Sequence, residues 1–242
     1  MEGYEPPTYG DRVADRYDTW HPEADEGAAD FLAELAGPGP VLELAVGSGR
    51  MSLPLVQRDL EVHGIDASEA MVEKLRTRPG GDKVQVTIGD FADVGVESRF
   101  PLVFVAFNTF FALLTQEDQV RCFRNVAEHL TGEGVFVIEA FVPDLSRFDR
   151  GQRVGTPEVE LDRARIEVST HDGANQRVST QIVEMTEGGI RLYPVDLRYA
   201  WPSELDLMAQ LAGLRLRDRW ADWVRSPFGS DSEKHVSVYG RN

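Results

Sequence analysis

Apolar positions along the first 142 residues recur in two alternating rhythms. Ala28, Phe31, Leu32 and Leu35 recur at helical spacing and predict a helix from Glu23 to Leu35, which Gly37, Pro38, Gly39 and Pro40 stop. DRVADRYDTW (11–20) predicts a shorter acidic helix before it. VLELA (41–45) is a short apolar strand, and Met51 to Arg58 a helix whose Pro54 is tolerated in the first turn. EVHGIDAS is a strand ending at Asp66, with Ser68 as the N-cap of a helix carrying Ala70, Met71 and Leu75. KVQVTIGDF alternates as a strand, and PLVFVAFN is continuously apolar. Gln116 to Leu130 predicts a helix broken by Gly132 and Gly134, and VFVIEAFV a further strand. Strands alternating with helices predict a parallel sheet with helices on both faces.

After Pro143 the rhythm changes. Residues 158–170, 176–187 and 190–200 read as three strands, with turns at Asp172-Gly173 and Gly188-Gly189. Pro202 and Ser203 open a helix that Gly213 ends, and 214–224 and 234–240 read as two final strands. One domain is expected: a helical lid over 1–36, a core over 40–142, an antiparallel layer over 143–200, and a C-terminal helix with two strands over 201–242.

Composition narrows the function. The chain has 242 residues, 42% of them hydrophobic and 27% charged, enough to bury a core. No apolar run nears the roughly 20 residues of a membrane span. The acidic, polar N-terminal stretch lacks the features of a secretory signal, so a cytoplasmic protein is expected. A net charge of −16 without a basic run argues against nucleic acid as a partner. Cys122 is the only cysteine, which rules out an intramolecular disulfide and a cysteine-held cluster, and it reads as a buried helical thiol. No His, Asp and Glu set has metal-ligand spacing, so metal-independent chemistry is expected.

Candidate chemistry begins at VLELAVGSGR (41–50). Ala45, Gly47, Ser48 and Gly49 form a small-residue turn between a strand and a helix, a place where a ligand can approach the backbone. A dinucleotide fingerprint would put its third glycine where Arg50 stands. Glu43 lies just before the turn, which would repel a pyrophosphate and attract a cationic amine.

This stretch resembles the first motif of class I S-adenosylmethionine-dependent methyltransferases, an acid followed by G-x-G-x-G, with Ala45 in place of the first glycine. The resemblance implies a Rossmann-like α/β sheet of seven strands, the last antiparallel, and the cofactor's methionine part along the turn near Glu43. It assigns Asp66 to the ribose hydroxyls and Gly89, Asp90 and Phe91 to the adenine, with Ala67 and Met71 also among the cofactor-binding residues. Phe107 and Asn108 end the fourth strand on the same crevice, and Tyr17, in the lid, would touch the cofactor. The layout is similar to enzymes that methylate amino sugars and other bacterial secondary metabolites, so a small-molecule acceptor is implied, by a monomer or a homodimer. Whether N, O or C is methylated stays open.

Candidates for the chemistry are Tyr17 and Tyr9, His21 as a base or else an exposed loop histidine, Glu139 facing the pocket or pairing with an arginine, Arg198 and Tyr199 on the acceptor side, and His235. His63 and His129 read as structural, and His171 as solvent-exposed beside a turn. Asn108-Thr109-Phe110-Phe111 has the outline of the N-P-P-F/Y motif without its prolines, and reads as a pocket-lining loop. A non-catalytic module that binds the cofactor and an NAD-type oxidoreductase remain as alternatives.

Overall fold

A computed structural model describes residues 1–22 and 24–241. The chain opens with α1 (Thr8–Val13), α2 (Tyr17–Trp20) and α3 (Ala28–Ala36). There follow β1 (Val41–Leu44), α4 (Ser52–Val56), β2 (Val62–Asp66), α5 (Glu69–Thr77), β3 (Gln85–Ile88), β4 (Phe100–Val105), α6 (Gln116–His129) and β5 (Leu130–Phe141). The antiparallel layer is β6 (Gln152–Val159), β7 (Arg163–Asp172), β8 (Arg177–Thr186) and β9 (Gly189–Arg198). Last come α7 (Pro202–Leu211), β10 (Leu214–Trp220) and β11 (Lys234–Arg241).

Seven strands form one sheet in the order β10-β11-β5-β4-β1-β2-β3, and only β11 runs against its neighbours. Residues along the central strands are buried on both faces. Leu42, Leu44, Val103 and Val105 share one core with Phe123 and Val126 of α6 and Leu205 and Met208 of α7. Val41, Leu102 and Phe104 share the other with Phe31 and Leu32 of α3 and Leu53 and Leu55 of α4. The chain leaves β1 toward β2 and β3, then returns to β4 on the other side. That reversal opens a crevice at the carboxyl ends of β1 and β4.

Several sequence expectations are corrected. Residues 11–20 are not one helix: Lys74 Nζ donates to the Ala14 carbonyl at 2.5 Å, and α1 ends just before it. α3 starts at Ala28 and not at Glu23, which lies outside the described residues. Gly132 and Gly134 do not follow α6 as a break but sit inside β5. A Cβ at Gly134 would meet the Phe100 carbonyl at 2.9 Å, where the β4–β5 register shifts. The antiparallel layer has four strands, not three. Gly155 and Pro157 hid β6, and the fold tolerates them because β6 is an edge strand with a register shift between Gly155 and Glu158.

Candidate active site

The crevice widens into a cavity of about 660 Å³. Its floor is the sheet edge: Ala45, Gly47, Asp66, Ala67, Met71, Asp90, Phe91, Phe107 and Asn108 all line it. α1, α2 and the residues around them form the lid, through Tyr4, Glu5, Tyr9, Tyr17 and His21. The opposite wall is the antiparallel sheet, whose Arg153, Glu167, Thr180, Ile182, Val195 and Leu197 face inward.

The turn after β1 is built by contacts from its neighbours. Asp66 accepts the Gly47 N–H at 2.7 Å and the Ser68 N–H at 2.8 Å, so one carboxylate ties the end of β2 to the turn. Gly47 has φ +54, and a Cβ there would press on Met71 Cε at 3.2 Å. Gly49 has φ +81, and a Cβ there would collide with Leu75 of α5. The small residues therefore serve two ends: Gly47 keeps the cavity open, whereas Gly49 lets α5 pack against the turn. Ala45, Phe107 and Asn108 all have positive φ, 59, 56 and 67 respectively, so three strained residues meet at the site. Glu139 holds the second pair by accepting the Phe107 N–H at 2.9 Å, and the Asn108 side chain accepts the Phe141 N–H at 2.6 Å.

The lid is fastened to the same turns. Ser48 Oγ donates to Asp18 at 2.7 Å, and Ser68 Oγ donates to Asp11 at 2.6 Å. The Arg50 guanidinium lies over the Phe107 ring, 4.4 Å from its centroid, and hydrogen-bonds Tyr17. The slot that would hold the third glycine of a dinucleotide fingerprint is thus filled by a buried cation. His21 packs edge-on against Phe107 at 4.7 Å and Tyr17 at 5.1 Å. Burial, with Arg50 and Arg165 nearby, lowers its pKa from 6.5 to about 4, so the ring is neutral at neutral pH. Burial raises the pKa values of Tyr9 and Tyr17, which stay protonated.

Other candidates fall outside the cavity lining. Glu43 is 4% exposed; Leu42 and Leu44 take the opposite face of β1, which sends Glu43 under α4 to accept from Ser52 Oγ. Burial pushes its pKa up to about 8. Gly49 and Gly89 are likewise not in the lining. Glu139 meets neither the cavity nor an arginine: its partners are the Phe107 N–H and Lys234, 3.2 Å away. Arg198 is turned inward to Gln119, Gln176 and Glu204, and the Tyr199 hydroxyl meets His171. His171 is not free in solvent, because it also stacks on Phe148. His235 is fully buried beside Ser237, and burial lowers its pKa to about 3. His21 is no exposed loop histidine but part of the wall. Cys122 is buried, and burial raises its pKa. The sequence reading missed Tyr4, Glu5, Arg153, Glu167, Thr180 and Ile182. Alternation along β8 marks a strand with two faces, yet gives no sign which face meets the cavity.

Residues 41–134 match a family model described as a methyltransferase domain. The solved CcbJ methyltransferase from Streptomyces caelestis is 43% identical, with a TM-score of 0.93, over 99% of this chain and 100% of that one. The chain is a class I S-adenosylmethionine-dependent methyltransferase. The cypemycin N-terminal methyltransferase of a Streptomyces species is 26% identical over 98% of this chain and 99% of its own length. A SAM-bound amino pentose methyltransferase from Micromonospora echinaspora is 22% identical and shares the fold, with a TM-score of 0.65 over 99% of this chain and 93% of that one. This methyltransferase uses S-adenosylmethionine as its methyl donor. The floor suits the cofactor's chemistry: a turn without bulky side chains, two carboxylates at Asp66 and Asp90, and an aromatic ring at Phe91. Among the described residues no helix is long and apolar enough to cross a membrane.

Proposed function

We propose that this methyltransferase transfers the methyl group to an amine of a small, cationic metabolite. The observation that carries the proposal is the charge of the cavity wall. Five carboxylates, Glu5, Asp66, Asp90, Asp118 and Glu167, face two guanidiniums, Arg147 and Arg153. An excess of acid draws in a protonated amine and disfavours a carboxylate or phosphate ester. The relatives' names are consistent with an amine acceptor, since one is a cypemycin N-terminal methyltransferase and another an amino pentose methyltransferase.

In this reading residues 1–36 are the lid, 143–200 supply the acceptor wall, and the floor holds the cofactor. Asp66 takes the ribose hydroxyls, Asp90 and Phe91 the adenine, and the turn at Ala45 and Gly47 the methionine end. When bound, S-adenosylmethionine supplies a methyl on a positively charged sulfur, which a neutral amine can displace. The chain's task is to exclude water and hold the amine lone pair on line, since alignment alone can supply much of the acceleration. His21 is neutral, so it can accept a hydrogen bond from an amine N–H and turn the lone pair toward the methyl. It stores no proton: the captured ammonium gives its proton to water before transfer, which frees the lone pair, and the methylated ammonium formed by the transfer releases its own to water afterwards. The cytoplasm, where the cofactor is available, is the compartment this proposal implies.

The test is a competition assay with purified protein and labelled S-adenosylmethionine. Matched amine, alcohol and carboxylate forms of one amino-sugar scaffold are offered together. Methylation confined to the amine supports the proposal; transfer to the alcohol or carboxylate in preference to the amine overturns it.

A further inference from the structure

Four charged side chains stand behind the cavity wall without lining it: Asp25, Arg50, Glu139 and Lys234. Asp25 lies between α2 and α3, Arg50 between β1 and α4, Glu139 near the end of β5, and Lys234 at the start of β11. The register explains why two of them meet. Val236 pairs with Glu139 and Lys234 with Phe141, so Lys234 and Glu139 lie diagonally on one face of the sheet, within reach of a long side chain. It is the face that α3 and α4 cover, since Val137 and Val236 share that core with Phe31 and Leu53. The loops leading into those two helices bring Asp25 and Arg50 over it.

The contacts close a ring, and each carboxylate spends one oxygen on each side of it. Lys234 Nζ donates to Asp25 Oδ2 and, at 3.2 Å, to Glu139 Oε1. Glu139 Oε2 accepts the Phe107 N–H at 2.9 Å. The Arg50 guanidinium lies over the Phe107 ring, 4.4 Å from its centroid. Arg50 Nη1 stands 3.8 Å from Asp25 Oδ1, which returns the path to Lys234. Glu139 is 4% exposed and Arg50 8%, so this half of the ring is costly to leave unbalanced. Two carboxylates face two cations. Glu43, a further acid near Arg50, keeps its proton at neutral pH and does not upset that balance.

A ring of ions stabilises a fold whatever it surrounds, but three features tie this one to the site. Phe107 sits at φ 56, a conformation that a bulky side chain disfavours and that its surroundings must impose. Glu139 imposes it twice, through its carboxylate on the Phe107 N–H and through its backbone carbonyl, which accepts the Asn108 N–H at 3.2 Å. The Phe107 ring then packs on His21 at 4.7 Å, and Arg50 hydrogen-bonds Tyr17. Phe107, His21 and Tyr17 all line the cavity. We propose that Lys234 is a positioning residue of the methyl-transfer site. By holding Asp25 and Glu139 together it keeps the floor at Phe107 and the lid at Tyr17 and His21 in one fixed relation, whichever acceptor enters.

Two substitutions in the full chain test this. Lys234→Met keeps most of the side chain's length and removes its charge, whereas Lys234→Arg keeps the charge. Calorimetry with S-adenosylhomocysteine reads the cavity, and carbon–proton NMR of histidine-labelled protein reads the His21 ring, assigned by its loss in His21→Gln. Lys234→Met is expected to bind S-adenosylhomocysteine about fivefold or more weakly and to move the His21 signal. Lys234→Arg is expected to restore both. A shift at His235, next to Lys234 in the chain, is expected in either variant and carries no weight. If Lys234→Met lowers only the melting temperature, or leaves either the affinity or the His21 signal as in the wild type, the ring is a structural staple and the proposal is overturned. It is overturned as well if Lys234→Arg loses as much affinity as Lys234→Met. Should Lys234→Met not fold, Asp25→Asn on the more exposed side of the ring replaces it with the same expectations, and wild-type affinity or an unmoved His21 signal there has the same meaning.

Discussion

Glu43 is an acid with Leu42 and Leu44 beside it and Ser52 as its partner. Its folded pKa of about 8 lies above the ordinary 4.5, so the folded chain keeps a proton that the unfolded chain gives up. The stability this group contributes is full below 4.5 and is lost as pH rises toward 8. Glu43→Gln should flatten that slope, and melting temperatures at the two ends of the window would show it. Equal slopes in both proteins would refute a protonated Glu43. His21 acts in the opposite sense: its pKa falls from 6.5 to about 4, so its contribution is lost as pH drops through that range. The kcat profile should then show no inflection at 6.5 that His21→Gln abolishes. Asp66 accepts two backbone N–H groups with two oxygens, and an amide has only one acceptor to offer. Asp66→Asn should cost about 1–2 kcal/mol of stability and weaken S-adenosylhomocysteine binding about tenfold or more. Denaturant titration and calorimetry separate the two effects, and full affinity in the folded variant would remove Asp66 from the cofactor's contacts. Ala45 sits at φ 59, a conformation that suits glycine. Ala45→Gly should therefore raise stability by roughly 0.5–1 kcal/mol in the same titration.

At the scale of elements, the lid depends on a few polar contacts. Asp18 accepts from Ser48 and also faces Lys74 at 3.3 Å and Arg78 at 3.6 Å. On the other side Trp20 packs against Tyr193, and Arg165 lies over the Trp20 ring. Asp18→Ala should release the lid from the cofactor turn while leaving its grip on the antiparallel sheet. These ions are partly exposed, so about 1 kcal/mol is a fair measure, or roughly fivefold in S-adenosylhomocysteine affinity. Faster amide exchange over residues 8–20, with the core strands unchanged, is the structural sign to look for. The elements of the parallel sheet were legible because β1 and β4 are buried on both faces and read as unbroken apolar runs. The antiparallel layer was less so. β6 carries a glycine and a proline that only an edge strand tolerates, and nothing local says that it is an edge. Arg198 and Tyr199 were misread for a related reason: their partners Gln119, Glu204 and His171 are set by tertiary packing, which spacing along the chain does not encode.

At the scale of the whole molecule, the crevice positions of Asp66 and Asp90 were readable because a parallel sheet gathers strand ends in one place, whereas Glu43, inside β1, turns under α4 instead. The acceptor wall was not, because the alternation of β8 and β9 fits either face. The negative charge of both cavity and chain has a kinetic consequence. KM for a cationic amine should rise with ionic strength, whereas KM for a neutral analogue should barely move. Equal salt dependence for both would argue against electrostatic capture. The lid carries a further consequence. α1 has six residues and α2 four, far below the length at which a helix holds together by itself in water. Detached from the serines, the arginine and the sheet that hold them, they cease to be helices. Opening the cavity is therefore a local melting event and not the swing of a rigid door. Turnover inherits the thermodynamics of partial unfolding: a heat-capacity change in its activation, and product release that quickens in dilute urea before the core begins to yield.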